Sequence, residues 1–190
     1  MRVLEFGHIA AAPFAGMLLA DLGAEVVKVE SPEGDGMRVW PPIVEDDEGK
    51  PFSLNFASLN RNKRSIVANL KDPDDLARVR ELCGVADVLI ENYRPGVMKR
   101  LGLGFDDVSA LRSTIVYCSI SGYGQTGPYA NRGAFDVVVQ AMSGLMSVTG
   151  EEDGPPVKCG VPVGDFTAGL YAAYSILAAR RVAERDGHAV

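Results

Sequence analysis

At the start of the chain, two stretches with the apolar pattern of a strand flank one stretch with the apolar spacing of a helix. Residues 1–6 form a short apolar run that breaks at Gly7 and predicts a strand. Residues 13–22 have apolar positions at helical spacing with Pro13 in the first turn, and residues 25–30 predict a second strand. Because crossovers between strands of one sheet are right-handed, these two strands should be parallel. The opening therefore predicts a β-α-β unit.

The alternation resumes after a long excursion, residues 31–64, in which Pro, Gly and acidic residues predict a path over the surface. Together the segments predict an α/β fold built on a parallel sheet with flanking helices. The later predicted strands are residues 65–70, 87–92 and 114–120, and the later predicted helices are residues 72–82, 106–112, 135–146 and 166–185.

The first β-α-β unit resembles the start of a dinucleotide-binding fold. It carries an acidic residue, Glu30, at the end of its second strand, where a ribose hydroxyl is bound in such folds. The segment between the first strand and the first helix, Gly7-His-Ile-Ala-Ala-Ala-Pro13, nevertheless lacks the G-x-G-x-x-G loop that admits a pyrophosphate. The sequence thus argues against NAD binding.

Composition narrows the possible functions. The 190 residues suffice for one domain, and 47% hydrophobic with 23% charged residues is typical of a soluble globular protein. A net charge of −6 argues against a general nucleic-acid or membrane-surface binder. No apolar run reaches the roughly 18 residues of a membrane span. Three cysteines without metal or disulfide spacing predict a reducing, cytoplasmic location, and two histidines leave little material for a metal centre, so we predict none.

Three places carry candidate chemistry. Asp165 stands at the start of the last helix, where it is interpreted as an N-cap and, alternatively, as a reactive carboxylate. The basic cluster 60–65, Asn60-Arg-Asn-Lys-Arg-Ser65, is either solvated or a phosphate site. At the carboxyl edge of the strand 87–92, Tyr93 and Arg94 could stack on a base and hold a phosphate.

The ordered series of motifs along the chain closely resembles the N-terminal half of the family III CoA-transferases, of the CaiB/BaiF type. This family includes formyl-CoA transferase, carnitine CoA-transferase and α-methylacyl-CoA racemase. The resemblance covers essentially the whole chain. Its motifs are Leu4-Glu-Phe6, Gly23-Ala-Glu-Val-Val-Lys-Val-Glu30, Asn60-Arg-Asn-Lys-Arg-Ser65, Glu91-Asn-Tyr-Arg-Pro-Gly96, Ser119-Ile-Ser-Gly-Tyr-Gly124 and Gly164-Asp165.

The resemblance implies a Rossmann-like parallel sheet with flanking helices, which forms part of a large domain, and an interlocked homodimer. It implies that Asp165 is the nucleophile, with anhydride and aspartyl-CoA thioester intermediates, and that coenzyme A, as acyl-CoA, and a small carboxylic acid are substrates rather than tightly bound cofactors. The positive end of a helix would favour the Asp165 anion by about 0.3–1 kcal/mol, and backbone N–H groups there could stabilise an oxyanion. The CoA-binding positions implied are His8, Ala10, Ala11, Ala68, Asn69, Lys71, Asn92, Tyr93, Arg94, Arg100, Ala134, Phe135 and Asp136.

The sequence departs from the family pattern at several positions. Ser31 and Gly133 stand where some members have an arginine and a lysine, and Arg38 or Arg132 could substitute for them. Phe135 stands where the racemases of the family have a histidine. Because phenylalanine cannot exchange a proton, the sequence favours a transferase over a 2-methylacyl-CoA racemase.

Members of the family are about twice as long, and their C-terminal half carries a small domain with a loop that closes over the aspartate. We therefore expect residues 1–190 to be the N-terminal part of the large domain, with residues 166–185 as the start of a linker helix. Such a chain would be inactive alone and would need a second chain that supplies the missing half. The alternative is a non-catalytic CoA-binding or dimerisation fragment.

Overall fold

The computed structural model describes all 190 residues and contains seven strands. Five of them form one parallel sheet in the order β5-β2-β1-β6-β7, and β3 and β4 form a separate antiparallel hairpin. The predicted α/β fold with a parallel sheet is confirmed. The strands are β1 (Arg2–Phe6), β2 (Glu25–Glu30), β3 (Ile43–Glu45), β4 (Pro51–Ser53), β5 (Lys63–Val67), β6 (Val88–Glu91) and β7 (Val116–Ser119).

Seven α-helices connect and cover the strands. The segment predicted as one helix over residues 135–146 is interrupted, because Gly144 adopts a left-handed φ of 82° and a separate 3₁₀ turn, Leu145–Val148, follows it. No helix combines the length and the apolar character needed to cross a membrane. The helices are α1 (Ala11–Asp21), α2 (Leu54–Asn60), α3 (Pro73–Val85), α4 (Val97–Arg100), α5 (Phe105–Leu111), α6 (Asp136–Met142) and α7 (Val163–Asp186).

Two apolar layers enclose the sheet. Successive side chains of a strand point to opposite faces, so Val3 and Ile90 pack with α1 and α7, whereas Leu4 and Leu89 pack with α3 and α5. A strand buried on both faces reads as a continuous apolar run, as β6 does. The core of the protein therefore lies on both faces of the sheet.

The excursion after β2 is more ordered than its composition predicts. It contains a 3₁₀ turn, Gly36–Val39, the β3–β4 hairpin and α2. Met37 and Leu59 are buried in a small cluster with Ala10, against which Phe166 packs. The prediction of a path over the surface is wrong for this part of the segment, because its apolar residues close one side of the region where α1 and α7 begin.

The strand order reverses direction between β1 and β6. From β1 the chain moves outward to β2 and then to β5, and it returns to the other side of β1 with β6. In open α/β sheets, ligands bind in the crevice outside the carboxyl ends of the strands at such a switch point. The loops that follow Phe6 and Glu91 form this crevice.

Candidate active site

The two loops of the crevice are fastened to each other. The Asn92 side-chain oxygen accepts a hydrogen bond from the backbone N–H of His8 at 2.8 Å, and its amide donates to the His8 carbonyl at 3.0 Å. The His8 ring meets the Tyr93 ring edge to face at 4.7 Å. Burial lowers the pKa of His8 and raises the pKa of Tyr93, so both rings are neutral at pH 7. Two neutral rings, held together by these contacts, therefore lie at the centre of the crevice.

Asp165 lies beside this crevice, in the first turn of α7. The prediction that it is the N-cap is wrong, because the helix begins at Val163 and its N-cap is Pro162. The capping acceptor comes from α6 instead. Asp136 Oδ1 accepts the backbone N–H groups of Gly164 at 2.7 Å and of Asp165 at 3.3 Å. The Asp165 side chain is therefore not used as a cap.

Further hydrogen bonds fix the Asp136 carboxylate. Its second oxygen accepts a hydrogen bond from the buried Gln140 at 2.6 Å, and the Gln140 oxygen accepts the backbone N–H of Cys159 at 2.7 Å. This chain of hydrogen bonds ties α6, the start of α7 and the segment before α7 into one unit. It fixes the position of the Asp165 backbone.

The surroundings of Asp165 oppose its ionisation. Burial, and after it the nearby Asp136 carboxylate, raise the pKa of Asp165 to about 6. The expectation that the helix terminus favours the anion is therefore outweighed. At pH 7 most of the Asp165 carboxylate is still ionised, but it is poorly solvated and faces no cation in the chain. Strongly perturbed carboxylates in clefts are candidates for functional groups.

A pocket of about 160 Å³ opens in front of Asp165. Its wall is formed largely by small residues, with the exposed Phe135 at its side. The predicted site residues Ala11, Asn92, Ala134, Phe135 and Asp165 all line it. The tertiary structure thus brings together positions that are up to about 150 residues apart in the sequence.

A second, larger pocket of about 450 Å³ lies at the carboxyl ends of β2, β5 and β6. Ala68, Asn69, Lys71 and Tyr93 line it, as does Ser31. The exposed Lys71 and the Tyr93 ring supply one cation and one aromatic surface, which suit a phosphate and a base. Of the predicted CoA positions, four line this pocket and four line the Asp165 pocket, Ala11, Asn92, Ala134 and Phe135. Ala10 lines a third pocket of about 230 Å³, and His8 and Asp136 line none of the three.

Comparison with known proteins places this chain in a family. All of residues 1–190 match CoA-transferase family III. The chain belongs to this family. It is 48% identical over 190 residues to a succinate–glutarate CoA-transferase of Agrobacterium fabrum, covering 98% of this chain and 48% of that protein. It is 47% identical over 180 residues to the human succinyl-CoA:glutarate CoA-transferase, covering 94% of this chain and 40% of that protein.

The fold of the family is also confirmed by a solved structure. A CaiB/BaiF family protein from Brucella suis superposes with a TM-score of 0.96 at 41% identity, over 100% of this chain and 50% of that one. The chain thus spans about half the length of the family members it matches.

Two arginines that the family pattern implies lie outside both pockets. Arg94 lines a separate cavity of about 320 Å³ with Glu91 and Ser119, and its guanidinium packs on Gly133, where a Cβ would be 3.0 Å from its Nη2 atom. Arg100 is exposed at the end of α4. Neither side chain is brought to Asp165, and their role in CoA binding stays a prediction.

Arg38 and Arg132, the two proposed substitutes for the family's arginine and lysine, already contact other side chains of this chain. Arg38 donates two hydrogen bonds to Glu30 at 2.8 and 2.6 Å and covers the Phe56 ring at 3.9 Å. Arg132 lies over the Tyr129 ring at 4.2 Å. Although burial opposes ionisation of Glu30, hydrogen bonds from Arg38 and Ser65 lower its pKa to about 2. Glu30 is therefore occupied within the chain and is not a free ribose acceptor.

The phosphate hypothesis for the basic cluster 60–65 is wrong. Arg61 pairs with Asp21, Lys63 is buried on Glu5, and Arg64 pairs with Glu25. The cluster also lies where β5 begins, at the amino edge of the sheet and away from the crevice. Its charges hold α1 and β2 in place.

Sequence reasoning missed the residue that sets the approach of α7 to α1. At Gly169 a Cβ would lie 2.6 Å from the Ala11 carbonyl oxygen and 3.0 Å from Phe14 Cδ1. The absence of a side chain there lets the start of α7, with Asp165, reach the crevice. The sequence did carry a signal for this close approach. Gly169 and Ala173 are small residues that follow Asp165 at intervals of one helical turn, so they lie on the same face of α7.

Proposed function

We propose that this chain is the nucleophile-bearing, CoA-binding half of a CoA-transferase that moves CoA from an acyl-CoA donor to a carboxylic acid acceptor. The observation that carries the proposal is the setting of Asp165. It is a half-buried carboxylate with a raised pKa, aimed at a pocket of small residues beside a pre-formed crevice. Membership of the CoA-transferase family supports the same assignment.

The proposed reaction has four steps, each of which balances. The Asp165 carboxylate attacks the thioester carbonyl, which forms a mixed anhydride and releases CoA thiolate. The thiolate attacks the aspartyl carbonyl of the anhydride, which forms an aspartyl-CoA thioester and releases the donor carboxylate. The acceptor carboxylate then attacks this thioester to form a second anhydride and CoA thiolate. The thiolate finally attacks the acceptor acyl carbon, which forms the new acyl-CoA and frees Asp165.

Poor solvation suits a carboxylate nucleophile. Because the Asp165 carboxylate is half-buried beside another carboxylate, it loses less hydration when a thioester enters the pocket. The backbone N–H groups of the first turn of α7 are engaged: Gly164 and Asp165 donate to Asp136, and Phe166 donates to the Pro162 carbonyl at 3.0 Å. The expectation that they stabilise the oxyanion is therefore wrong. We propose that the absent half of the enzyme supplies those donors.

The proposed substrates are a short dicarboxylic acid and the CoA thioester of another. The support for this class is similarity, since the relatives that are 48% and 47% identical are named for succinate and glutarate. A racemase has less support, because Phe135 lines the Asp165 pocket and no histidine does.

The proposed partner is a further polypeptide that covers α7. Leu170, Tyr171 and Tyr174 on this helix are 55%, 67% and 73% exposed, a large apolar surface beside Asp165. The absent C-terminal half of the enzyme, within an interlocked homodimer, is the occupant we propose.

Trapping the intermediates tests the function. The chain is incubated with succinyl-CoA and hydroxylamine, alone and together with the C-terminal half of a 48% identical relative. Modification of Asp165 is then measured by mass spectrometry of its peptide. We expect a hydroxamate at Asp165 in the assembly, and a loss of transferase activity of at least about a thousandfold in Asp165→Asn.

Asp153→Asn is the matched control, since Asp153 is an exposed carboxylate in a loop. It should leave adduct and activity unchanged. An active assembly whose Asp165 is never modified would contradict the mechanism. CoA binding without any transfer in the assembly would favour the non-catalytic module.

A further inference from the structure

The turn between β1 and α1 holds a residue in a costly conformation. Ile9 has a φ of 61°, in the left-handed region that β-branched residues rarely adopt. Such a conformation costs about 1–3 kcal/mol and persists only where the surroundings impose it. The turn carries His8, Ala10 and Ala11 at the edge of the crevice, so what imposes its shape also shapes the site.

The contacts that impose it come from two buried charges. The Ile9 N–H donates to both Asp35 oxygens, at 3.3 and 3.2 Å. The Lys28 ammonium donates to the Gly7 carbonyl at 2.6 Å and pairs with Asp35 at 3.0 Å. Both side chains are 1% exposed. The Lys28–Asp35 ion pair therefore binds the turn at two backbone groups, the Gly7 carbonyl and the Ile9 N–H.

The ion pair is part of a larger buried cluster of alternating charge. Glu5 pairs with Lys28 at 3.1 Å and with Lys63 at 2.8 Å, and all three side chains are at most 2% exposed. Gly16 leaves the space for the Glu5 carboxylate, since a Cβ there would overlap it. Lys63 completes the charge balance, but its other partners are Pro13 and Asn60, outside the turn.

Stability alone is a poor explanation for this cluster. Taking four charges out of water costs free energy that their mutual attraction only partly returns, and apolar residues of similar size often serve as well. A role in holding backbone geometry explains why Lys28 and Asp35 bond to the groups that they do. Lys28 and Asp35 each bond to the backbone of one turn, at the Gly7 carbonyl and at the Ile9 N–H, and Asp35 also accepts the Met37 N–H at 2.9 Å.

We propose that Lys28 and Asp35 are positioning residues that hold the turn 7–10 in its left-handed shape and so prepare the crevice for coenzyme A. This inference rests on the proposed function, because it assigns CoA as the ligand of the crevice. The two residues touch the turn and not the ligand.

Hydrogen exchange of the chain separates this role from general stability. In Lys28→Met, we expect the amides of His8 and Ile9 to exchange at least about tenfold faster relative to those of Val3–Phe6. Lys63→Met is the matched control, because it removes a charge from the same buried cluster without touching the turn. It should leave the ratio unchanged. Equal changes in the two variants, or no change at His8 and Ile9, would overturn the proposal.

Titration with coenzyme A gives the functional readout. We expect the dissociation constant to rise about tenfold in Lys28→Met and less than about threefold in Lys63→Met. Should Lys28→Met fail to fold, Asp35→Leu keeps a similar side-chain size, removes both acceptor oxygens of the Ile9 N–H and carries the same expectations. An unmodified chain that binds no coenzyme A contradicts the proposed function, while the exchange comparison still decides whether Lys28 holds the turn.

Discussion

Two aspartates at opposite edges of the sheet show what a partner does to a carboxylate. Asp87, just before β6 at the amino edge, accepts the Arg2 N–H at 2.8 Å and lies 3.3 and 3.4 Å from the guanidiniums of Arg112 and Arg180. Burial opposes its ionisation, but the Arg2 N–H and the Arg180 guanidinium lower the pKa of Asp87. Asp165, at the carboxyl edge, is half-buried beside another carboxylate, and its pKa is raised to about 6.

The difference separates an acid that is paired within the fold from the acid that we propose as the nucleophile. Asp87 ties α7 to the sheet, because Arg180 belongs to that helix. Asp165 contributes nothing of this kind and lowers stability when it is ionised. Natural proteins keep such a group where activity needs it. Four experiments test this comparison.

Asp87→Ala should have the largest effect on folding. It leaves Arg112 and Arg180 unpaired at a partly buried site, and we expect the free energy of unfolding to fall by about 2–3 kcal/mol. Because the folded pKa of Asp87 is lowered, its contribution is present above its ordinary pKa of 3.8 and is lost as the pH falls through the folded value. Urea unfolding at pH 7 measures the loss of stability in the variant, and the same measurement at pH 3 shows how much of the Asp87 contribution is lost in acid.

The matched control is Asp186→Ala at the exposed end of α7, which should change stability little. CoA binding per folded molecule should be intact in Asp87→Ala. A loss of binding without a loss of stability would contradict the assignment of Asp87 to structure.

Gly169→Ala should have the next largest effect and should act on both properties. The added methyl would lie 2.6 Å from the Ala11 carbonyl oxygen, so α7 must move away from α1. Overpacking of this kind costs about 2 kcal/mol. Because Asp165 moves with α7, transferase activity of the assembly should fall further than CoA binding does. Gly160→Ala, where a Cβ meets no atom within 4 Å, should change neither.

Asp165→Asn should make the fold more stable, by about 1–2 kcal/mol at pH 8 once solvent screening at this half-buried site is allowed for. The folded pKa, about 6, lies above the ordinary 3.8, so the ionised group lowers stability increasingly as the pH rises between these values. Below pH 3.8 the variant and the unmodified chain should unfold alike. A destabilised variant at pH 8 would show that Asp165 has a stabilising partner.

Asp136→Asn should give the smallest effect, which is read from the pH profile. The Asn oxygen can still accept the N–H groups of Gly164 and Asp165, although its amide group now faces the amide of Gln140 and that hydrogen bond is lost. The negative charge beside Asp165 is lost as well. Burial remains the larger cause of the raised pKa. The acid limb of the rate profile should therefore move only part of the way from pH 6 toward 3.8. An unchanged profile would show that burial acts alone.

Much of the fold could be predicted because its signals are local. The continuous apolar run of β6 and the helical spacing of α1 each reflect the faces that a single element buries. The parallel relation of β1 and β2 then follows from the right-handed crossover. The position of Asp165 at the start of a long helix was also visible, since glycines and a proline precede an apolar stretch.

Partners could not be predicted, because they join residues that are distant in sequence. The N-cap assignment of Asp165 was wrong since the acceptor, Asp136, lies on another helix. The phosphate hypothesis for Arg61 and Arg64 was wrong since Asp21 and Glu25 already neutralise them. A charged residue shows its type in the sequence but not which charge it meets.

The sequence by itself determined the class of fold, the family and the identity of the candidate nucleophile, because periodicity and ordered motifs are properties of the linear chain. Only the tertiary structure decided that Asp165 is the unpaired acid and Asp87 the paired one. It also decided that Lys28 and Asp35 meet beneath the turn at Ile9. The physical reason is that ionisation and backbone shape depend on burial and on the nearest charges, which exist only after the chain has folded.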